Sequence, residues 1–255
     1  MIFYFSATGN CLFVAKELDS EVISIPQVIH NEKLEFSGDS IGVVFPDYGS
    51  EAPYMVRDFL RKAKFHTDYL YVIMTYGCHN GASAKIMREF ADEYGLQISY
   101  FRTVKMVDNY LPAFDMEKEK ALDKKISEQL NEIRNDIHAR KVYFEETSDE
   151  EQAVYDNYQL FTAEHPEMSW KNIHFSATDS CIGCGICTKV CPAGCIQIVN
   201  GKAVHREEGC QKCLACIHSC PKKAIRMNIP EVNEQARYRN ENVTLQMLIE
   251  SNHQN

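Results

Sequence analysis

The sequence predicts an α/β chain built on a doubly wound parallel sheet, followed by a smaller α+β domain. Three observations lead there. Short apolar runs alternate with segments of helical period through roughly the first half of the chain. From Ser176 the composition turns to Cys, Gly and Pro. Nine of the eleven cysteines fall between Cys181 and Cys220.

The elements follow in order. Residues 1–5 are an apolar run of strand length, and residues 9–18 carry helical spacing. Residues 22–25 and 41–45 are β-branched runs, and residues 52–64 return to helical period. Residues 69–75 predict a further strand, 82–94 a helix and 97–107 another strand. Residues 117–140 predict one long polar helix, with Leu122, Ile126, Leu130, Ile133 and Ile137 forming its core-facing stripe. Residues 145–151 are acidic and read as a solvated turn, and residues 154–161 as a connecting helix. The expected domains are 1–175, then 176–229, then a tail 230–255 with a short helix near 243–249.

Composition excludes several classes. The chain is 45% hydrophobic and 25% charged, as ordinary globular proteins are. A net charge of −9 opposes nucleic-acid binding, which needs a basic face. No run approaches the ~18 apolar residues of a membrane span. The start, MIFYFSATGN, lacks a basic n-region and an apolar h-region, so a cytoplasmic location without membrane attachment is expected. No feature of the sequence encodes an oligomeric state.

Two cysteine runs share one pattern. Cys181, Cys184, Cys187 and Cys191 precede Pro192; Cys210, Cys213, Cys216 and Cys220 precede Pro221. Both are C-x2-C-x2-C-x3-C-P, the bacterial ferredoxin run, in which the fourth cysteine ligates the other cluster. The pattern predicts two [4Fe–4S] clusters, one on Cys181, Cys184, Cys187 and Cys220, the other on Cys210, Cys213, Cys216 and Cys191. Zinc sites draw four ligands from two pairs, a poor match to repeated triplets. Cys195 fits neither run and reads as a small buried residue rather than a ligand.

At the other end, Ser6, Ala7, Thr8, Gly9, Asn10 and Cys11 follow the first strand and open the first helix. Small hydroxyl residues and glycine let backbone N–H groups wrap an anion there. In a doubly wound sheet, ligands sit beyond the carboxyl ends of the strands. Two further loops reach that edge: Pro46, Tyr48 and Gly49 in one, Thr75, Tyr76 and Gly77 in the other. Their tyrosines suit either stacking on a planar ring or burial in the core. Cys78 is a candidate reactive thiol, but a loop cysteine with no visible partner is usually inert. No G-x-G-x-x-G follows a strand, so no nicotinamide dinucleotide site is visible.

These loops resemble those of flavodoxin, whose phosphate loop Ser6, Thr8 and Gly9 match, with Cys11 in place of the last hydroxyl. Residues 106–110, which include Asn109 and Tyr110, resemble the Met-Pro-Asp-Asn-Tyr segment of flavodoxin–ferredoxin fusion proteins, with Val107 in place of the proline. In that family the resemblance runs through Arg237, Tyr238, Arg239 and Asn240. It implies a flavodoxin-like domain holding FMN, with phosphate on residues 6–11 and the ring between the 46–50 and 75–81 loops. It further implies anaerobic electron transfer between flavin and clusters, with redox partner proteins or a small-molecule electron acceptor. The alternative is a pure electron carrier that turns over no small molecule.

Overall fold

The computed structural model describes residues 1–252. The first part runs β1 (Ile2–Tyr4), α1 (Asn10–Leu18), β2 (Val22–Ser24), α2 (Ile25–Val28), β3 (Glu35–Ser37), β4 (Ile41–Pro46), α3 (Tyr54–Lys62), β5 (Lys64–His66), β6 (Leu70–Tyr76), α4 (Ser83–Tyr94), β7 (Ile98–Lys105), α5 (Met116–Lys120), α6 (Ile126–His138), β8 (Tyr143–Phe144) and α7 (Asp149–Glu164). Six strands make one sheet in the order β2-β1-β4-β6-β7-β8, every neighbouring pair parallel. β2 and β4 lie on opposite sides of β1, so strand order reverses there. That reversal opens a crevice at the carboxyl ends of β1 and β4.

Side-chain alternation builds a core on each face. Ile2, Tyr4, Val44, Tyr71, Ile73 and Tyr100 pack with residues of α1 and α6. Phe3, Phe5, Val43, Phe45, Val72 and Phe101 pack with α3 and α4. The buried Tyr71 ring crosses Gly42, where a Cβ would lie 2.4 Å from Tyr71 Cε2 and Cζ. Gly42→Ala is therefore expected to cost about 1–3 kcal/mol of stability by overpacking. Equal urea midpoints for variant and parent would remove this assignment.

The single helix expected over 117–140 is two. Residues between α5 and α6 turn instead, with Lys125 at φ 53° and its N–H bonded to Asp123 Oδ1. Leu122 falls in this break and is exposed, whereas Leu130 and Ile133 are buried. The acidic segment is not wholly a turn. Glu145 accepts from the Thr103 N–H and Oγ1, and Ser148 with Glu151 forms the capping box that starts α7. β3 and β5 carry one aromatic residue each, too little for an apolar run, yet Phe36 and Phe65 join Phe3 and Phe59 in one ring cluster.

The second part runs β9 (Phe175–Ala177), α8 (Ile186–Lys189), β10 (Ile196–Val199), β11 (Lys202–His205), α9 (Ala215–Ser219), β12 (Ile225–Met227) and α10 (Leu245–Asn252). β9 pairs with β12 and β10 with β11, both antiparallel. Asn200 and Gly201, at φ 51° and 76°, turn the β10–β11 hairpin as an Asn-Gly pair should. The tail then crosses back to the first part, where Leu248 joins the core beside α1. The last three residues of the expected tail lie outside the described residues. Among the described residues no helix is long and apolar enough to cross a membrane.

Candidate metal centres and the adjoining cavity

Folding brings the cysteines into two sets. Cys181, Cys184, Cys187 and Cys220 line one small cavity. Cys191, Cys210, Cys213 and Cys216 line another, with Cys195 among them. Each set thus takes three sulfurs from one run and the fourth from the other. Burial, then the neighbouring Cys184, Cys220 and Cys181, pushes the Cys187 thiol up to about 11, which reflects how closely the four converge. Soft thiolates in fours suit iron–sulfur cubanes. Among the described residues no three His, Cys, Asp or Glu side chains converge on a point that one metal ion would occupy.

The local backbone explains the convergence. Bending three cysteines around one centre requires left-handed residues before and after the second cysteine. The first run supplies glycine at both, Gly183 at φ 63° and Gly185 at φ 75°. The second run places Lys212 at φ 53° and Leu214 at φ 64° in the same positions, a strained choice for residues with side chains. Their surroundings hold them. Lys212 Nζ donates to the Ile173 carbonyl and to Glu207 Oε2, and Leu214 is 4% exposed.

Lys212, Cys213 and Leu214 also line a larger cavity of about 310 Å³ at the carboxyl edge of the sheet. This volume is in the range of small-molecule sites. Of the residues expected to hold a cofactor, Pro46, Tyr48 and Gly49 form one wall, and Thr75, Tyr76 and Gly77 a second. Asn10, Asn109 and Tyr110 form a third. The Tyr48 hydroxyl is buried with no partner among the described residues. Cys78 lines the cavity as well, its thiol pushed up by burial and by Asp108. Asp108 clamps two loops, Oδ2 accepting from the Cys78 N–H (3.0 Å) and Oδ1 from that of Tyr110 (2.9 Å).

Several lining residues escape a reading of the sequence, four of them polar or aromatic groups of chemical interest. Trp170 and Tyr158 arrive from helical segments with no motif, and Lys212 looks in sequence like a charge balancing the clusters. Asp47 stands in a loop whose tyrosine and glycine are the visible signals. Desolvation at the cavity wall pushes the Asp47 carboxyl up to about 7, against hydrogen bonds from Ser83 Oγ and the Ser50 N–H. An acid with a raised folded-state pKa makes the fold lose stability as pH climbs from the ordinary carboxylate range, about 4, towards that value. Asp47→Asn escapes this loss, so its stability relative to the parent should increase between about pH 4 and pH 7. Urea titrations at several pH values test this, and a difference flat with pH contradicts it.

Ser6, Ala7, Thr8, Gly9 and Cys11 are not among the cavity residues. They lie under the tail. Asn240 N–H donates to the Thr8 carbonyl (2.8 Å), and Asn252 Nδ2 to that of Ser6 (3.0 Å). Tyr238 OH donates to Asn10 Oδ1 (2.6 Å). A Cβ on Gly9 would lie 2.9 Å from Val243 Cβ, so this closeness depends on glycine. Asn109 Nδ2 reaches Thr8 Oγ1 (2.7 Å), which ties the loop to the cavity wall. Cys11 Sγ, buried, lies 3.1 Å from Thr75 Oγ1. Ser6 Oγ is buried with no partner among the described residues, an orphaned hydroxyl donor where an anion is expected.

His218 joins the parts from the cluster side. Its Nδ1 accepts from the Tyr238 N–H (3.0 Å), so Nε2 carries the proton and donates to the Asn109 carbonyl (2.9 Å). Burial lowers its pKa to about 4 and keeps it neutral. Arg237 Nε donates to the Ile217 carbonyl of α9 (3.1 Å), so the tail touches the cluster segment and the residue 6–11 loop together.

Residues 180–225 match the 4Fe-4S dicluster domain family. Over 47 residues the chain is 47% identical to one component of an ion-translocating oxidoreductase complex from Methanosarcina acetivorans. The aligned stretch covers 18% of this chain and 18% of that protein. No solved structure matches. The chain therefore carries an iron–sulfur, electron-transfer domain at residues 180–225.

Proposed function

We propose that this chain passes electrons between two [4Fe–4S] clusters and an FMN held in the cavity at the sheet edge, in anaerobic redox metabolism. In this reading the first part is a flavodoxin-like domain and the whole is a flavodoxin–ferredoxin fusion. When bound, the clusters supply one-electron steps, and the flavin joins these to two-electron chemistry. The observation that carries the reading is Cys213, which lines both the second cysteine cavity and the larger cavity.

The chain's own residues have distinct parts. Two sets of four thiolates hold the clusters in crossed fashion: Cys181, Cys184, Cys187 and Cys220 one, Cys191, Cys210, Cys213 and Cys216 the other. Tyr48, Tyr76 and Tyr110 line the place for a planar ring. Ser6 Oγ and the backbone N–H groups of its loop are the donors to a phosphate. His218, Arg237 and Tyr238 fix the cluster segment against the loops. Cys184 is exposed, which supports exchange with an outside redox partner or a small-molecule acceptor, and oxygen sensitivity.

Protein isolated without oxygen is expected to hold iron and sulfide for about two cubanes, with broad absorbance near ~400 nm, and about one FMN per chain. Thr8→Glu is expected to reduce FMN to background through clash and like-charge repulsion, with iron unchanged. FMN at the parent level in that variant sinks the loop assignment, and zinc with negligible sulfide sinks the cluster assignment. A carrier that binds no flavin is the second reading. The tail seated over Ser6 and Thr8 favours it, and full iron with no FMN in the parent would establish it.

A further inference from the structure

A cubane takes four cysteine ligands, and the second cysteine cavity offers five. The extra sulfur is Cys195. It is 2% exposed, its Sγ lies 3.4 Å from Cys191 Sγ, and it shares the cavity with Cys210. The two runs supply an internal comparison. Cys195 follows Cys191 by the same interval at which Ala224 follows Cys220, and each is followed by a buried isoleucine that starts a strand. Ala224 is fully buried, and the Ala224 N–H donates to Cys220 Sγ (3.2 Å). A methyl group therefore fills this position in one half of the fold. The sulfur in the other half is more than packing requires.

We propose that Cys195 is a reserve ligand of the second cluster, able to take the iron that Cys191 holds. With 3.4 Å between the two sulfurs, one iron beside them is within reach of either. The exchange is thiolate for thiolate. Cys195 passes its proton to the Cys191 sulfur as that sulfur leaves the iron and its own sulfur binds, and no oxidation state changes. The first cluster has no such reserve, because Ala224 stands in the equivalent place.

The inference rests on the second cavity holding a cubane, and the test separates the two. The full chain is reconstituted anaerobically with iron and sulfide, and both are quantified, with low-temperature EPR after reduction. The parent should carry about eight irons, and a parent without two clusters refutes the cluster reading itself. Cys195→Ala should keep about eight, Cys191→Ala about eight, and the double variant about four. The EPR signal of the second cluster should shift in Cys191→Ala and vanish in the double variant. If Cys191→Ala already falls to about four irons, with the double variant no lower, Cys195 is no ligand and the proposal is overturned. Should Cys191→Ala not fold, Cys191→Ser with and without Cys195→Ala gives the same comparison, and equal iron contents overturn it.

Discussion

Cys220→Ala is expected to remove the first cluster and spare the second, although Cys220 stands in the second cysteine run. The effect is large, since iron should fall from about eight to about four per chain. Cys220 lines the cavity of Cys181, Cys184 and Cys187, just past the end of α9, the helix that carries Cys216 of its own triplet. α9 is five residues long, enough to carry the chain from one set of sulfurs to the other. Alanine there leaves a cubane with three protein ligands and nothing nearby to replace the fourth. The comparison that decides is between variants. The EPR spectrum of reduced Cys220→Ala should match that of Cys184→Ala, a first-run ligand. If instead it matches Cys213→Ala, each run holds its own cluster and the crossed assignment fails.

The second large effect concerns reduction of the proposed flavin. Mixed rapidly with a low-potential one-electron donor, the parent should reduce its clusters first and bleach its flavin afterwards, at a rate independent of protein concentration. One chain gives each centre an effective concentration for the other that separate proteins lack. Cys216 belongs to the set that Cys213 shares with the larger cavity, yet Cys216 itself does not line that cavity. Cys216→Ala should therefore slow flavin bleaching by about tenfold or more while FMN content stays at the parent value. Bleaching that is second order in protein, or as fast in Cys216→Ala as in the parent, rules out the internal relay.

Much of the candidate site is legible in the sequence because its chemistry is local. A cysteine triplet, a proline and a repeat predict both the ligand type and the partner run, and Cys191 and Cys220 each line the cavity of the other run's triplet. Sheet strands are legible where β-branched runs are long, as in β4 and β6. What escapes is nonlocal. Trp170 reaches the cavity from a short helical turn, and nothing near it in sequence marks that destination. Cys195 reads as a small buried residue, and it is buried, but its neighbour Cys191 is known only once the Cys-Pro-Ala-Gly-Cys loop has closed. The helix break at 121–125 escapes because apolar spacing continues through Leu122, while the turn is set by the Asp123 carboxylate and a left-handed Lys125. The tail's seat over Ser6 and Thr8 depends on Asn240 and Asn252, residues whose carbonyl partners stand at the other end of the chain.

The glycines of the first run and the side chains of the second make the two centres unequal towards water. Beside Gly183 and Gly185, Ile182 is 60% exposed and Cys184 is open to solvent. Around Lys212 and Leu214 the wall is protein, and Cys216 is buried. A cluster gains negative charge when reduced, and water solvates that charge better than a packed interior does. If both clusters are bound as proposed, this solvation would make the outer one the easier to reduce. The interior cluster would then be a step of higher energy between the cavity and the outside. In that arrangement electrons passing inward would need a stronger donor than electrons passing outward.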